Sequence, residues 1–308
     1  MASGSTKAVF AALFANLGIG VAKFVAYVFT SSSSMLAEAI HSVADTSNQA
    51  LLLLGNRRAA QDATPKHPFG FGRERYFWSF IVALVLFTLG GLFAVYEGWH
   101  KLGEGRHEVR NFQWAIGILL LGVVLEGYSL LTAARESRPL KGRATWWEFI
   151  RRSRTPELPI VLLEDFGALT GLVLALTGIS VSALTNDSRW DAYATIGIGM
   201  LLVGIATVLV FEMKSLLIGE SALAPTRKAI VEAIEGTADV SKVLHMRTQH
   251  IGPDELLIAA KVQFKRGLDT AGVAATIDRA EQRIREAVPV DCMIYLEPDV
   301  FDPSRSTP

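Results

Sequence analysis

Apolar positions along the chain fall into six runs of helical length, and the pattern ends near Leu217. A hydrocarbon core about 30 Å thick is crossed by about 20 helical residues. The runs at 7–29, 34–55, 76–99, 112–134, 158–182 and 191–216 reach that length and predict six spanning helices. They are rich in Gly and Ala, which lets helices approach closely in lipid. Trp78, Trp99, Trp114 and Trp190 lie near the predicted ends, where interfacial aromatics sit. Beyond them the pattern shortens. Residues 224–237 read as a helix with Pro225 in its first turn. Residues 241–250 and 255–265 read as strands joined by a turn at Gly252-Pro253-Asp254. Residues 270–287 read as an amphipathic helix, with Ala274, Ile277, Ala280, Ile284 and Ala287 at helical spacing, and 291–297 as a last strand. The expected fold class is an α-helical membrane protein: six transmembrane helices followed by a C-terminal α+β domain. The expected boundaries are 1–217 for the membrane domain, 218–301 for the α+β domain and 302–308 for a flexible tail.

Composition agrees with this picture. Half of the 308 residues are hydrophobic and 19% are charged, below the quarter usual in soluble domains. Lys and Arg balance Asp and Glu at 30 each, so bulk charge points to no nucleic-acid partner. The single Cys292 forms no internal disulfide. Met1 to Phe29 carries no small-residue cleavage site followed by a soluble domain, and reads as a retained span. Orientation follows from basic loop residues. Arg57, Arg58, Lys66, Arg73 and Arg75 follow the second span, and Arg135, Arg138, Lys141, Arg143, Arg151, Arg152 and Arg154 follow the fourth. The opposite loops are poorer, holding Lys101, Arg106 and Arg110 in one and Arg189 in another. Both termini and the α+β domain are therefore expected in the cytoplasm, with the spans in the cell membrane.

Several spans contain ionisable residues, which are costly at bilayer depth and mark functional sites. The second holds Glu38, His41, Asp45 and Asn48. His41 and Asp45 are four apart, so they share one helical face, and Asn48 extends it. An imidazole nitrogen and a carboxylate oxygen on one face can clamp a divalent cation such as zinc. A polar pair satisfying another helix is the plainer alternative. The fifth span holds adjacent Glu164 and Asp165, which diverge by about 100° on a helix. One of them faces the site and the other a neighbouring helix. If Asp165 joins His41 and Asp45, three ligands converge from two helices, and water, Glu164 or Asn48 supplies a fourth. Glu126 in the fourth span reads as structural, and Asp191 as a helix-start carboxylate beside the positive dipole end. No nucleophile–base constellation appears, and the Gly-Phe-Gly of the second loop lacks the Gly and Lys of a phosphate cradle, so an enzyme is not expected.

The segments AEAIHSVADTSNQ, HPFGFGRERYFWS and VLLEDFGAL, in this order over six spans and an α+β tail, resemble the cation diffusion facilitators, which include the zinc transporters. The similarity covers nearly the whole chain and is to the branch of the human ninth zinc transporter and its bacterial relatives. It implies export of a divalent metal, Zn2+ first, against protons by alternating access in a homodimer. It makes His41 and Asp45 the second-span ligands and Asp165 a fifth-span ligand. The family's fifth-span His falls on Val161, leaving Glu164 as a replacement. In the second loop Phe71 stands where some relatives place a His, beside a lone His67. In the tail Leu244, Ala260 and Tyr295 stand where some relatives have metal ligands; Glu297 alone is retained, and His245 and His250 are isolated on a strand. Arg73 matches a basic residue that pairs with an acid after the sixth span, here Glu220. One imidazole among oxygens also suits Mn2+, Fe2+, Co2+ or Ni2+. The competing function is a non-transporting membrane regulator or partner subunit with a partly degraded metal site.

Overall fold

The computed structural model describes residues 3–103 and 112–302, with side chains from Leu17 onward. Arg106, Arg110 and the expected tail beyond Asp302 lie outside the described residues. The chain divides into two compact units: residues up to Arg58 with Tyr76–Lys214, and Ala59–Arg75 with the chain from Ser215.

The first unit is helical. Its elements are α1 (Ser3–Thr30), α2 (Ser33–Ala59), α3 (Glu74–Val85), a π-helical stretch Leu86–Leu92, α4 (Phe93–Gly103), α5 (Phe112–Lys141), the short α6 (Trp146–Arg152), α7 (Glu157–Thr185) and α8 (Arg189–Ile218). Among the described residues four helices are long and apolar enough to cross a membrane: Glu74–Gly103, α5, α7 and α8. Six were expected. The described apolar part of α1, Leu17–Thr30, is short. α2 is long enough but too polar, because Glu38, His41, Asp45 and Asn48 interrupt it.

The packing explains how so polar a helix persists: its polar residues are covered by neighbouring helices. Gly171 of α7 lies against Glu38; a Cβ there would sit 2.7 Å from Glu38 Oε1. The π-helical turn brings Gly90 to His41, where a Cβ would lie 3.7 Å from Nδ1. Asp191 of α8 accepts from the Ser33 backbone N–H at 2.7 Å and from the hydroxyls of Ser32, Ser33 and Ser34. It lies in the first turn of its own helix, as the sequence reading expects. Its carboxylate also caps the start of α2, and its burial makes those donors necessary. Trp99, Trp114 and Trp190 are exposed near helix ends, whereas Trp78 lies against Gly55.

The second unit contains α9 (Ala224–Glu235), β1 (Val240–Gly252), β2 (Glu255–Phe264), α10 (Thr270–Ala287) and β3 (Asp291–Pro298). The sheet order is β1-β2-β3. β1 and β2 form an antiparallel hairpin pairing Met246 with Ala260, and β3 runs parallel to β2 with Ile258 opposite Ile294. The parallel pair needs a crossover, supplied by α10. Its core joins Ile230 and Ile234 to Leu256, Ile258 and Val262 of the sheet and Ala280 and Ile284 of α10. His245 and His250 both lie on β1, and only His250 is buried.

The loop 59–75 packs on this unit. Arg75 Nη1 binds Asp254 Oδ2 at 2.7 Å. Gly72 sits against the hairpin turn, where a Cβ would lie 2.7 Å from Glu255 Oε2 and 3.0 Å from the Gly252 Cα. Glu255 Oε2 is buried without a hydrogen-bond partner among the described residues. Partial burial, then the charges of Asp291 and Asp254, push the Glu255 carboxyl above its ordinary value. The folded state thus holds this proton more readily than the unfolded chain. Its stabilising effect is complete below the unfolded value of about 4.3 and is lost as pH rises through the folded value. Gln keeps the neutral form at every pH. Glu255→Gln is therefore expected to raise the thermal midpoint of this unit at pH 7, with the gain closing toward pH 4, as read by unfolding of the whole chain in detergent.

Candidate metal site

α2 is the spine of the site. Glu38, His41, Asp45 and Asn48 recur at three or four residues and form one stripe, and all four are buried. His41 Nε2 lies 3.6 Å from Asp45 Oδ2. The Asp45 and Glu164 carboxyl groups are within hydrogen-bond reach of each other, and Asn48 Nδ2 donates to Glu164 Oε1 at 2.8 Å. His41, Asp45, Asn48 and Glu164 are thus brought together from α2 and α7.

Asp165 is placed differently. Its Oδ2 accepts from Ser129 of α5 at 2.8 Å. Val161, one turn earlier, packs in an apolar cluster with Leu130, Ala133 and Ala134 of α5. Positions 161 and 165 of α7 therefore face α5, while 164 and 171 face α2. Glu164 stands beside the second-span residues in the position that the resemblance gave to Asp165.

The chemistry of the stripe fits a divalent cation as substrate. His41 Nδ1 and Nε2, Asp45 Oδ1, Asn48 Oδ1 and Glu38 Oε1 are buried and make no hydrogen bond among the described residues. Each buried polar group left unmade costs about 1–3 kcal/mol. Such a concentration calls for a ligand, an ion or ordered water at these atoms. Among the described residues no group of three or more His, Cys, Asp or Glu side chains is gathered closely enough to hold a metal ion in this arrangement.

Two features escaped the sequence reading. Lys23 of α1 is buried, and its Nζ donates to Glu38 Oε2 and Ser42 Oγ, both at 2.9 Å. A lone cation within an apolar run was the signal available. The π-helical stretch Leu86–Leu92 beside His41 was less visible; the pair Gly90-Gly91 within a span was its trace. Such irregular turns are rare and gather at functional positions. Glu126, read as structural, is half-buried and lines a narrow crevice with Ile19, Ser42 and Asp45.

The Gly171 contact gives a paired test. Gly171→Ala puts a methyl 2.7 Å from Glu38 Oε1 and is expected to lower stability by about 1–3 kcal/mol, the usual range for overpacking. Gly127, with nothing within 4 Å, is expected to accept Ala neutrally or with a gain of up to about 1 kcal/mol. Thermal unfolding of both variants in detergent compares them.

Residues 9–218 match the family described as the cation efflux transmembrane domain, and residues 224–299 match the cation efflux protein cytoplasmic domain. The chain is 31% identical over 264 residues to the mouse (Mus musculus) protein named proton-coupled zinc antiporter SLC30A9, mitochondrial, covering 85% of this chain and 45% of that protein. It is 33% identical over 264 residues to the counterpart from Xenopus laevis, covering 85% of this chain and 46% of that protein. It is 30% identical over 266 residues to metal tolerance protein C4 of Arabidopsis thaliana, covering 84% of this chain and 57% of that protein. The chain thus spans about half the length of these relatives. With a helical membrane unit, an α+β unit after it and matches to both parts, the chain belongs to the cation efflux, or cation diffusion facilitator, family of membrane transporters.

Proposed function

We propose that the chain is a proton-coupled antiporter that exports divalent metal ions, Zn2+ first, from the cytoplasm by alternating access. The observation that carries this reading is the buried stripe of α2, where His41, Asp45 and Asn48 hold polar atoms without a hydrogen-bond partner among the described residues and Asn48 binds Glu164. His41, Asp45 and Glu164 act as ligands, and Asn48 orients Glu164. Asp165, held by Ser129, stands beside the site and enters the ligand set if α7 turns. Metal requires deprotonated donors. Its arrival therefore displaces protons from these donors, and protons arriving from the far side expel the metal. Sharing one set of lone pairs is the coupling.

The rest of the assembly follows in the same reading. α1 and α2 complete six spans, because the polar stripe of α2 is covered by other helices. The basic loops place both termini and the α+β unit in the cytoplasm. The match of residues 224–299 to the family's cytoplasmic domain supports a homodimer, for which the cell membrane is the proposed location. Manganese, iron, cobalt and nickel remain alternative substrates for one imidazole among oxygens.

A second reading, a non-transporting regulator or partner subunit, draws on Val161, which packs apolarly where the family carries a ligand. Flux separates the two. The purified chain in proteoliposomes is expected to accumulate zinc under an imposed pH gradient and to stop when the gradient is collapsed. His41→Ala and Asp45→Ala are each expected to lower that flux at least a hundredfold while the protein stays folded. Zinc flux indifferent to the gradient rules out antiport, and flux retained in Asp45→Ala removes the proposed site.

A further inference from the structure

The buried Lys23 has no place in the transport reading above. It lies within an apolar helix, and its ammonium is held by Glu38 Oε2 and Ser42 Oγ, each at 2.9 Å. Lys23 and Glu38 are 1% and 0% exposed, so neither charge reaches solvent. An ion pair this deep gains little stability over a well-packed apolar pair of the same volume. Fixing α1 to α2 would be done as well by two apolar side chains. The remaining consequence is electrostatic. Glu38 opens the stripe that continues through His41 to Asp45, and Glu38 Oε1 makes no hydrogen bond among the described residues. Without Lys23, Glu38 would be a further carboxylate with a free lone pair on the metal-binding face. The other carboxylates whose fields reach Lys23 are Glu126 and Asp45.

We propose that Lys23 is the fixed counter-charge of the metal face: it neutralises Glu38, keeps it out of the ligand set and holds divalent affinity low enough for release. It acts through Glu38 and touches no metal, so it is a positioning residue that sets affinity. This rests on the reading of His41 and Asp45 as metal ligands. Glu38 and Asp45 are seven residues apart, about 10 Å along a helix. At that distance, with an effective dielectric near 20, gaining or losing one unit charge shifts binding of a divalent ion by more than about tenfold.

The two charges therefore make opposite predictions. Lys23→Met leaves Glu38 uncompensated and is expected to tighten zinc binding at least tenfold. Glu38→Gln leaves the ammonium uncompensated and is expected to weaken it at least tenfold. Lys23→Met/Glu38→Gln removes both and is expected to return within about threefold of wild type. A pair that only braces two helices moves both single variants in the same direction, or moves only their thermal midpoints. The experiment is equilibrium dialysis of zinc with the purified full chain in detergent, with His41→Ala alongside. Singles that shift alike, or not at all, overturn the proposal. If Lys23→Met does not fold, the comparison of Glu38→Gln with the double variant decides: failure of the double to regain affinity overturns it. Zinc binding as tight in His41→Ala as in wild type removes the metal reading instead, which keeps the two failures distinct.

Discussion

The constraint on which the membrane unit depends is the burial of the polar stripe of α2. A helix bearing two carboxyls, an imidazole and a carboxamide cannot face lipid, because each uncompensated group costs kilocalories in hydrocarbon. Its neighbours answer residue by residue. Lys23 meets Glu38, Gly90 leaves room beside His41, Asn48 and Asp45 meet Glu164, and Asp191 closes the exposed start of the helix. The glycines matter because they admit a neighbour's polar group at distances a Cβ would forbid. What is left after this accounting is a small set of buried polar atoms with no hydrogen-bond partner among the described residues.

Much of the fold was legible because it rests on simple periods. The runs of apolar residues located the long helices, though α5 continues to Lys141, seven residues past its expected end, and alternation between short strands and one amphipathic helix gave the tail in its observed order. Two things were less legible. Whether α2 crosses the membrane cannot be judged from its own apolarity, since its polar residues are hidden by helices distant in sequence. The role of loop 59–75 was also hidden: nothing local says that Gly72 and Arg75 belong with the hairpin turn of the α+β unit rather than with the helices they join.

The site shows the same division. Spacing of four placed His41 and Asp45 on one face, and the structure keeps them there. Spacing could not choose between Glu164 and Asp165, because adjacent residues differ by about 100° and the phase of α7 is set by its partners. Ser129 and the apolar cluster around Val161 turn one side of α7 to α5, and Gly171, by admitting Glu38, turns the other to α2. Val161, where the resemblance expects a fifth-span His, thus has an apolar environment, while Glu164 brings a carboxylate to α2. Lys23 was overlooked because its partner lies in the next helix, where no local pattern connects them.

The most direct test of the account is X-ray absorption of the purified chain loaded with one equivalent of zinc. The account predicts a first shell of one imidazole nitrogen and oxygen donors, without sulfur, that is lost in Asp45→Ala. A zinc shell unchanged in that variant, or one containing the sulfur of Cys292, would contradict it.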